Sequence, residues 1–264
     1  MRIISVNAWG GTVFAALSPW LAATEADVIC LQEVTRTAGL TGWTRFSDGE
    51  RSLPQRANLF DDVRRILPAH QGVFVATDAG PVYDESGHER RQDFGLATFV
   101  AEHLPLVGLR TAFIHGAYAD HDAWPTSHRP RAALATRLVD RASGRAVTVV
   151  QAHGLRDAAG KHDTPARRRQ AERLADLVRH SREPGDVVVV CGDLNLLPDS
   201  ETFTILAGVG LVDLVGPADT RTSQYAKPVR HASYLLVSDP AAVARFEILT
   251  EPEVSDHRAL LVEL

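Results

Sequence analysis

The stretch Val187-Val188-Val189-Val190-Cys191-Gly192-Asp193-Leu194-Asn195, continuing into Leu196-Leu197-Pro198-Asp199-Ser200, decides the fold. Four consecutive valines call for a strand buried on both faces, as in a sheet covered on each side. The run stops at Gly192, so an apolar strand delivers polar groups to an edge. Asp193 and Asn195 are two apart; in extended chain a carboxylate and an amide then leave on one side and can face a single ligand. Gly, Asp and Asn are also ordinary turn formers, and taken alone the stretch divides evenly between a site and a turn.

The same pattern recurs elsewhere. Arg2 to Val6 is strand-like and ends in Asn7-Ala8-Trp9-Gly10-Gly11; Thr12 to Thr24 is helix-like, with Pro19 expected to bend or divide it; Asp27 to Val34 is a second buried strand carrying Gln32 and Glu33 at its end. Strand, helix and strand make a βαβ unit, in which ligands bind beyond the strand ends. Further on, Ala132 to Val139 and Ala146 to His153 form a hairpin around Ser143-Gly144, so that His153 ends another strand. Thr164-Pro165 caps and opens a helix reaching about His180, with Arg167, Arg168 and Arg169 in its first turn, where an anion or solvent must answer the charge. Ser200 caps a short helix to Ala207. Leu211 to Val215, Ser233 to Val237 and Phe246 to Leu249 are expected strands, and Ser255-Asp256-His257 precedes a last one.

Between these elements the expectations are looser. Residues 35 to 56 look irregular, and Gln55 to Leu67 carries an amphipathic helical stripe. Gly72 to Val75, Gly95 to Val100 and Thr111 to Ile114 are short strands; polar Asp78 to Asp93, with Gly80-Pro81, is expected to be a mobile surface loop. His115 to Arg131 is a second polar loop.

A chain of 264 residues without a linker predicts one domain spanning 1–264. No apolar run is long enough to cross a bilayer, and Met1-Arg2 leads directly into a strand, so a cytoplasmic monomer is expected. Cys30 and Cys191 lie in apolar runs and are expected to be free buried thiols. The net charge of −5 provides no global field for nucleic acid or an anionic membrane. Lys161 and Lys227 are the only lysines; arginine supplies the remaining positive charge.

Asn7, Glu33, His153, Asp193 with Asn195, and Asp256 with His257 therefore come from five separate places. Each has a plain structural use as a turn, a cap or a satisfied histidine, but their repeated placement at strand ends points to one site. Oxygen donors without a cysteine cluster favour a hard cation, Mg²⁺ or Mn²⁺, which suits phosphoryl chemistry.

Asn7, Leu31-Gln32-Glu33, Gln151-Ala152-His153, Gly192-Asp193-Leu194-Asn195 and Ser255-Asp256-His257 resemble, in order, the motif set of the endonuclease/exonuclease/phosphatase superfamily. The resemblance implies an α/β fold, a four-layer sandwich of two mixed sheets packed face to face and flanked by helices. It also implies that Glu33 holds the metal with Asn7 and Asp256 near it. Asp193 would orient or deprotonate water, Asn195 would position the phosphate, and His153 and His257 would contact its non-bridging oxygens. The implied reaction is in-line hydrolysis of a phosphodiester or phosphomonoester, with nucleic acid among the candidate substrates.

One departure stands out. Where members commonly carry Arg-x-Asp-Tyr, with the Asp orienting the catalytic histidine, this chain has Arg230-His231-Ala232-Ser233-Tyr234. Loss of that carboxylate lowers the pKa of His257 or frees its ring. It also keeps open an alternative, a phosphate-binding protein with weakened or lost catalysis. A nuclease needs a basic, aromatic-lined groove, to which Trp124, His128, Arg129 and Arg131 are candidate contributors. A calcineurin-like metallophosphatase is disfavoured, because its Gly-Asn-His motif is absent.

Overall fold

The structure is a computed structural model that describes residues 1–141 and 143–264. In chain order the elements are β1 (Arg2–Asn7), α1 (Phe14–Ala23), β2 (Val28–Arg36), β3 (Trp43–Ser47), β4 (Ser52–Arg56) and α2 (Leu59–Ile66). Next come β5 (His70–Asp84), β6 (Glu89–Ala101), β7 (Leu106–His115), β8 (Ala119–Asp120), β9 (Arg131–Val139) and β10 (Ala146–His153). The chain closes with α3 (Pro165–Ser181), β11 (Val187–Asp193), α4 (Glu201–Ala207), β12 (Val212–Asp213), β13 (Ser233–Val237), β14 (Arg245–Leu249) and β15 (Ala259–Glu263).

They build two mixed sheets. The larger has the order β14-β15-β1-β2-β6-β5-β3-β4, with β8 alongside β5; the smaller runs β12-β13-β11-β10-β9-β7. The larger holds the parallel pairs β1 with β2 and β5 with β8, the smaller holds β10 with β11, and the connections over β1–β2 and β10–β11 carry α1 and α3. The inner faces meet through Ile3, Val28 and Cys30 of one sheet and Val149, Val189 and Cys191 of the other. Helices α1 and α2 cover the outside of the larger sheet through Leu17, Leu21, Leu59 and Val63, while α3 lies on β7 and β9. The valine run is buried on both faces as its composition requires, and both cysteines are free and buried. Gly192 is fixed by packing: a Cβ there would meet the Ala152 carbonyl oxygen at 2.0 Å.

Three expectations need correction. Asp78 to Asp93 is not a loop: β5 and β6 continue through it as a hairpin, paired from His70↔Ala101 to Tyr83↔Glu89. Much of its polar composition is buried pairing, with Asp78 accepting from Arg129 and Gln92 donating to Thr44, and Gly80 is small to admit the Trp124 ring, not to turn the chain. Residues 35 to 56 are not irregular throughout, since residues 43–56 form the β3–β4 hairpin. Accordingly Gln55 and Arg56 belong to β4, and the helix begins only at Leu59, capped by the Asn58 side chain accepting from the Asp61 amide. Pro19 sits within α1 without dividing it. Among the described residues no helix is long and apolar enough to cross a membrane.

Candidate active site

The ends of the central strands of both sheets open into one cleft of about 630 Å³. In the smaller sheet, register does the placing. His153 is paired with Asp193 across the parallel β10–β11 ladder, and Asp193 with Ser233 across β11–β13, so three polar side chains form a row at the sheet end. From the larger sheet, Asn7 closes β1, and Glu33 sits where β2 shifts register against β6 between Leu31 and Val34. Glu33 has φ of 55°, a left-handed conformation uncommon for a residue with a side chain.

Asp193 is the focus. One carboxylate oxygen accepts from the Asn7 side-chain amide at 3.0 Å, and the other accepts from the backbone N–H of Asn195 at 3.0 Å. The Nε2 of His257 lies 3.4 Å from it and that of His153 3.8 Å. His153 Nε2 is also 3.8 Å from Glu33. Asn7 is itself fixed: its side-chain oxygen accepts from the Trp9 amide at 3.0 Å, and its backbone carbonyl accepts from the Ser255 hydroxyl at 2.6 Å. Ser255 in turn accepts from the His257 amide at 3.2 Å. The first and last motifs of the chain are thereby tied to each other beneath the site. All seven residues singled out from the sequence (Asn7, Glu33, His153, Asp193, Asn195, Asp256 and His257) gather here.

Ser233 also falls in place, with its hydroxyl 2.9 Å from Nδ1 of His257. The carboxylate of Asp193 can only accept, so a neutral His257 keeps its hydrogen on Nε2 and accepts from Ser233 at Nδ1. Serine therefore orients the ring without charging it. Burial, reinforced by the Arg221 and Lys161 charges, holds the His257 pKa well below the ordinary histidine value. Burial and then Arg131 do the same for His153, against the pull of Asp193.

Asp256 behaves oppositely. Burial, together with the Glu33 and Asp193 charges, lifts its pKa to about 7, although Arg221 donates to it at 2.7 Å. The Glu33, Asp193 and Asp256 carboxyls thus share one space, where ionising the third is opposed by the other two. Among the described residues no group of three or more His, Cys, Asp or Glu is placed to hold a metal ion. A Mg²⁺ ion needs only one or two carboxylates together with water and substrate oxygens, so the oxygen-donor set fits a hard divalent cation.

The walls of the cleft are cationic. Eight arginines and lysines line it against five carboxylates, in a chain of net charge −5. Lys161 is among them, half-buried, its amine donating to the His231 carbonyl; burial lowers its pKa to about 8, with Asp193 pulling the other way. Sequence reasoning noted Lys161 only as one of two lysines. Some expected contributors are taken by the fold: Trp124 is buried against Phe46 and Phe94, and Arg129 is bound at both ends by Asp78. Arg167 does not await an anion, because it donates to the carbonyls of His162 and Leu155 and pins the loop that follows β10.

A two-sheet α/β sandwich whose strand ends converge on carboxylates and histidines is the fold of a class of phosphoester hydrolases. The chain belongs to the endonuclease/exonuclease/phosphatase family, whose model matches residues 4–257. Solved structures share the fold over nearly the whole chain. A mannosyl-6-phosphatase of Bacteroides thetaiotaomicron aligns with TM-score 0.67 at 14% identity, covering 100% of this chain and 98% of that one. A D. rerio TDP2 humanized by 14 mutations gives 0.66 at 15%, covering 99% and 97%. The human Nocturnin catalytic domain with bound sulfate gives 0.64 at 18%, covering 99% and 92%. No curated protein matches by sequence.

Proposed function

We propose that the protein is a divalent-metal-dependent phosphoesterase that attacks phosphorus in line with an activated water. The observation that carries this reading is Asp193, a buried carboxylate held from both sides by Asn7 and Asn195 with two histidine rings facing it. A carboxylate so fixed is built to orient a water and take its proton. Glu33 and Asp256 would hold the cation, with Asn7 beside them. The ion would neutralise charge on the phosphate oxygens. Asn195 would position the phosphate, and His153 and His257 would donate to non-bridging oxygens.

The cationic cleft supports an anionic substrate, and the similar structures agree in kind. They include a mannosyl-6-phosphatase, a TDP2 complexed with single-strand DNA product and a Nocturnin holding sulfate, an anion of phosphate shape. The binding-protein alternative drew its support from Ser233, and that support weakens because the serine hydroxyl meets His257 where an orienting group belongs.

The test is hydrolysis of p-nitrophenyl esters of phosphate with Mg²⁺ or Mn²⁺, with and without chelator, in the native protein and in Asp193→Asn. Turnover should require the ion and fall by roughly 10²–10⁴-fold in the variant, the range for a lost general base. Equal rates in the two proteins would remove Asp193 from the chemistry.

A further inference from the structure

Arg129 and Arg131 enter the cleft wall two residues apart and have opposite circumstances. Arg129 gives two hydrogen bonds to Asp78, at 2.7 and 3.0 Å, and its guanidinium lies 4.3 Å from the ring centroids of both Phe94 and Trp124. It is spent on structure. Arg131, the first residue of β9, is 5% exposed and lines the same cleft as His153 and Asp193. Its Nε and Nη1 are buried and have no hydrogen-bond partner, and no carboxylate pairs with it among the described residues. A buried cation with undonated N–H groups is costly and calls for an anion to complete it.

Lys161 approaches the same space from the loop after β10. Its amine has one protein acceptor, the His231 carbonyl, which leaves two N–H groups; among the described residues it too lacks a paired carboxylate. Both cations are within electrostatic reach of Asp193, whose charge favours the protonated form of each. Burial opposes it, lowering the Arg131 pKa to about 10, and at neutral pH the guanidinium remains charged.

A phosphodiester brings one negative charge and two non-bridging oxygens. The groups assigned above, His153, His257, Asn195 and the cation, already answer those. A phosphomonoester brings a third oxygen and, near pH 7, a second charge. We propose that Arg131, assisted by Lys161, binds this third oxygen and selects a phosphomonoester dianion over a phosphodiester. The inference rests on the phosphoesterase reading and names its substrate class. A planar guanidinium offering two N–H donors in a fixed fork matches a phosphoryl edge, and the lysine adds charge without fixed geometry.

The test compares kcat/KM at pH 7 for p-nitrophenyl phosphate and bis(p-nitrophenyl) phosphate in the native protein, Arg131→Met, Arg131→Lys and Lys161→Met. The native protein should prefer the monoester. Arg131→Met should lose roughly 100-fold on the monoester, the scale of an abandoned buried charge contact, and under about tenfold on the diester. Arg131→Lys should recover part of the loss, and Lys161→Met should lower the monoester-to-diester ratio by roughly tenfold. Equal losses on both esters, or a native preference for the diester, overturn the proposal.

Calorimetric binding of inorganic phosphate and of dimethyl phosphate, with Mg²⁺ present, separates this from the parent reading. If neither nitrophenyl ester turns over, the phosphoesterase reading is what fails. Loss of the preference for inorganic phosphate in Arg131→Met still supports the arginine's role, and an unchanged preference refutes it. Lys161 is half-buried on a loop, so its variant keeps both experiments decisive even where Arg131→Met does not fold.

Discussion

The two sheets meet at the cleft but supply it in different ways. The smaller sheet places its groups by regular geometry: His153, Asp193 and Ser233 are ladder partners across β10, β11 and β13. The larger sheet places its groups where regularity breaks, with Glu33 at a register shift with positive φ, and Asp256 and His257 in the loop before β15. The regular ladder holds His153, Asp193 and Ser233 in a fixed row. The broken one turns a carboxylate out of the sheet and across the gap, at a backbone cost of order 1–3 kcal/mol. Such an outlier persists only where its surroundings hold it, and it marks Glu33 as a side chain aimed for a purpose.

The largest effect expected from breaking this comparison is at Glu33. Glu33→Gln keeps the shape of the side chain and removes the charge. If the irregular sheet supplies the cation's ligand, the variant should need roughly 10- to 100-fold more Mg²⁺ for half-maximal turnover, a range seen even for residues that only support a ligand. At saturating ion, much of the activity should return. A Mg²⁺ titration that overlays the native curve would show that Glu33 serves the backbone and not the ion.

The same contrast explains what the sequence made legible. Groups on the regular ladder were readable because a buried valine run ending in Gly192-Asp193, and a strand ending in His153, obey simple periodicity. The motifs of the larger sheet were readable as residues, but nothing local in Gln32-Glu33-Val34 announces a bulge; it arises from pairing with β6, more than sixty residues away. The outer half of the β5–β6 hairpin looks like a loop in sequence because its buried positions include Thr77, Asp78 and Gln92, polar residues whose partners are supplied only by the fold. Arg129 and Arg131 are alike in sequence. Only Asp78, brought beside Arg129 by the fold, separates a spent cation from a free one. Lys161 carried no local signal, since its value depends on the His231 carbonyl and on Asp193 across the cleft.

A smaller effect is expected at the row's outer member. Ser233→Asp places a carboxylate at Nδ1 of His257, where the native hydroxyl stands 2.9 Å away. A negative charge favours the imidazolium, so the His257 pKa rises from its depressed position and Nδ1 becomes the donor. The limb of the pH–rate profile set by His257 should move to higher pH by about one unit or more. Superimposed profiles for native and variant would mean that the residue at position 233 orients the ring without setting its charge.

The last effect lies in stability, away from turnover, and Asp256 provides it. In the metal-free protein its pKa is about 7, against 3.8 for the free side chain. Between about pH 4 and 7 the unfolded chain has lost this proton while the folded protein keeps it, so the folded state binds more protons and stability falls as pH rises. Above about pH 7 both states are ionised and the contribution is flat, having removed at most about 4 kcal/mol. Asp256→Asn has no such proton to lose. Urea unfolding in chelator at pH 5, 6, 7 and 8 should show native stability declining relative to the variant across the first three points and running parallel to it thereafter. Saturating Mg²⁺ should erase the difference in slope, because an ion held by Glu33 and Asp256 favours the ionised carboxylate in the folded state. Parallel native and variant curves at every pH in chelator would show that Asp256 is already ionised without the ion, with Arg221 alone answering its charge.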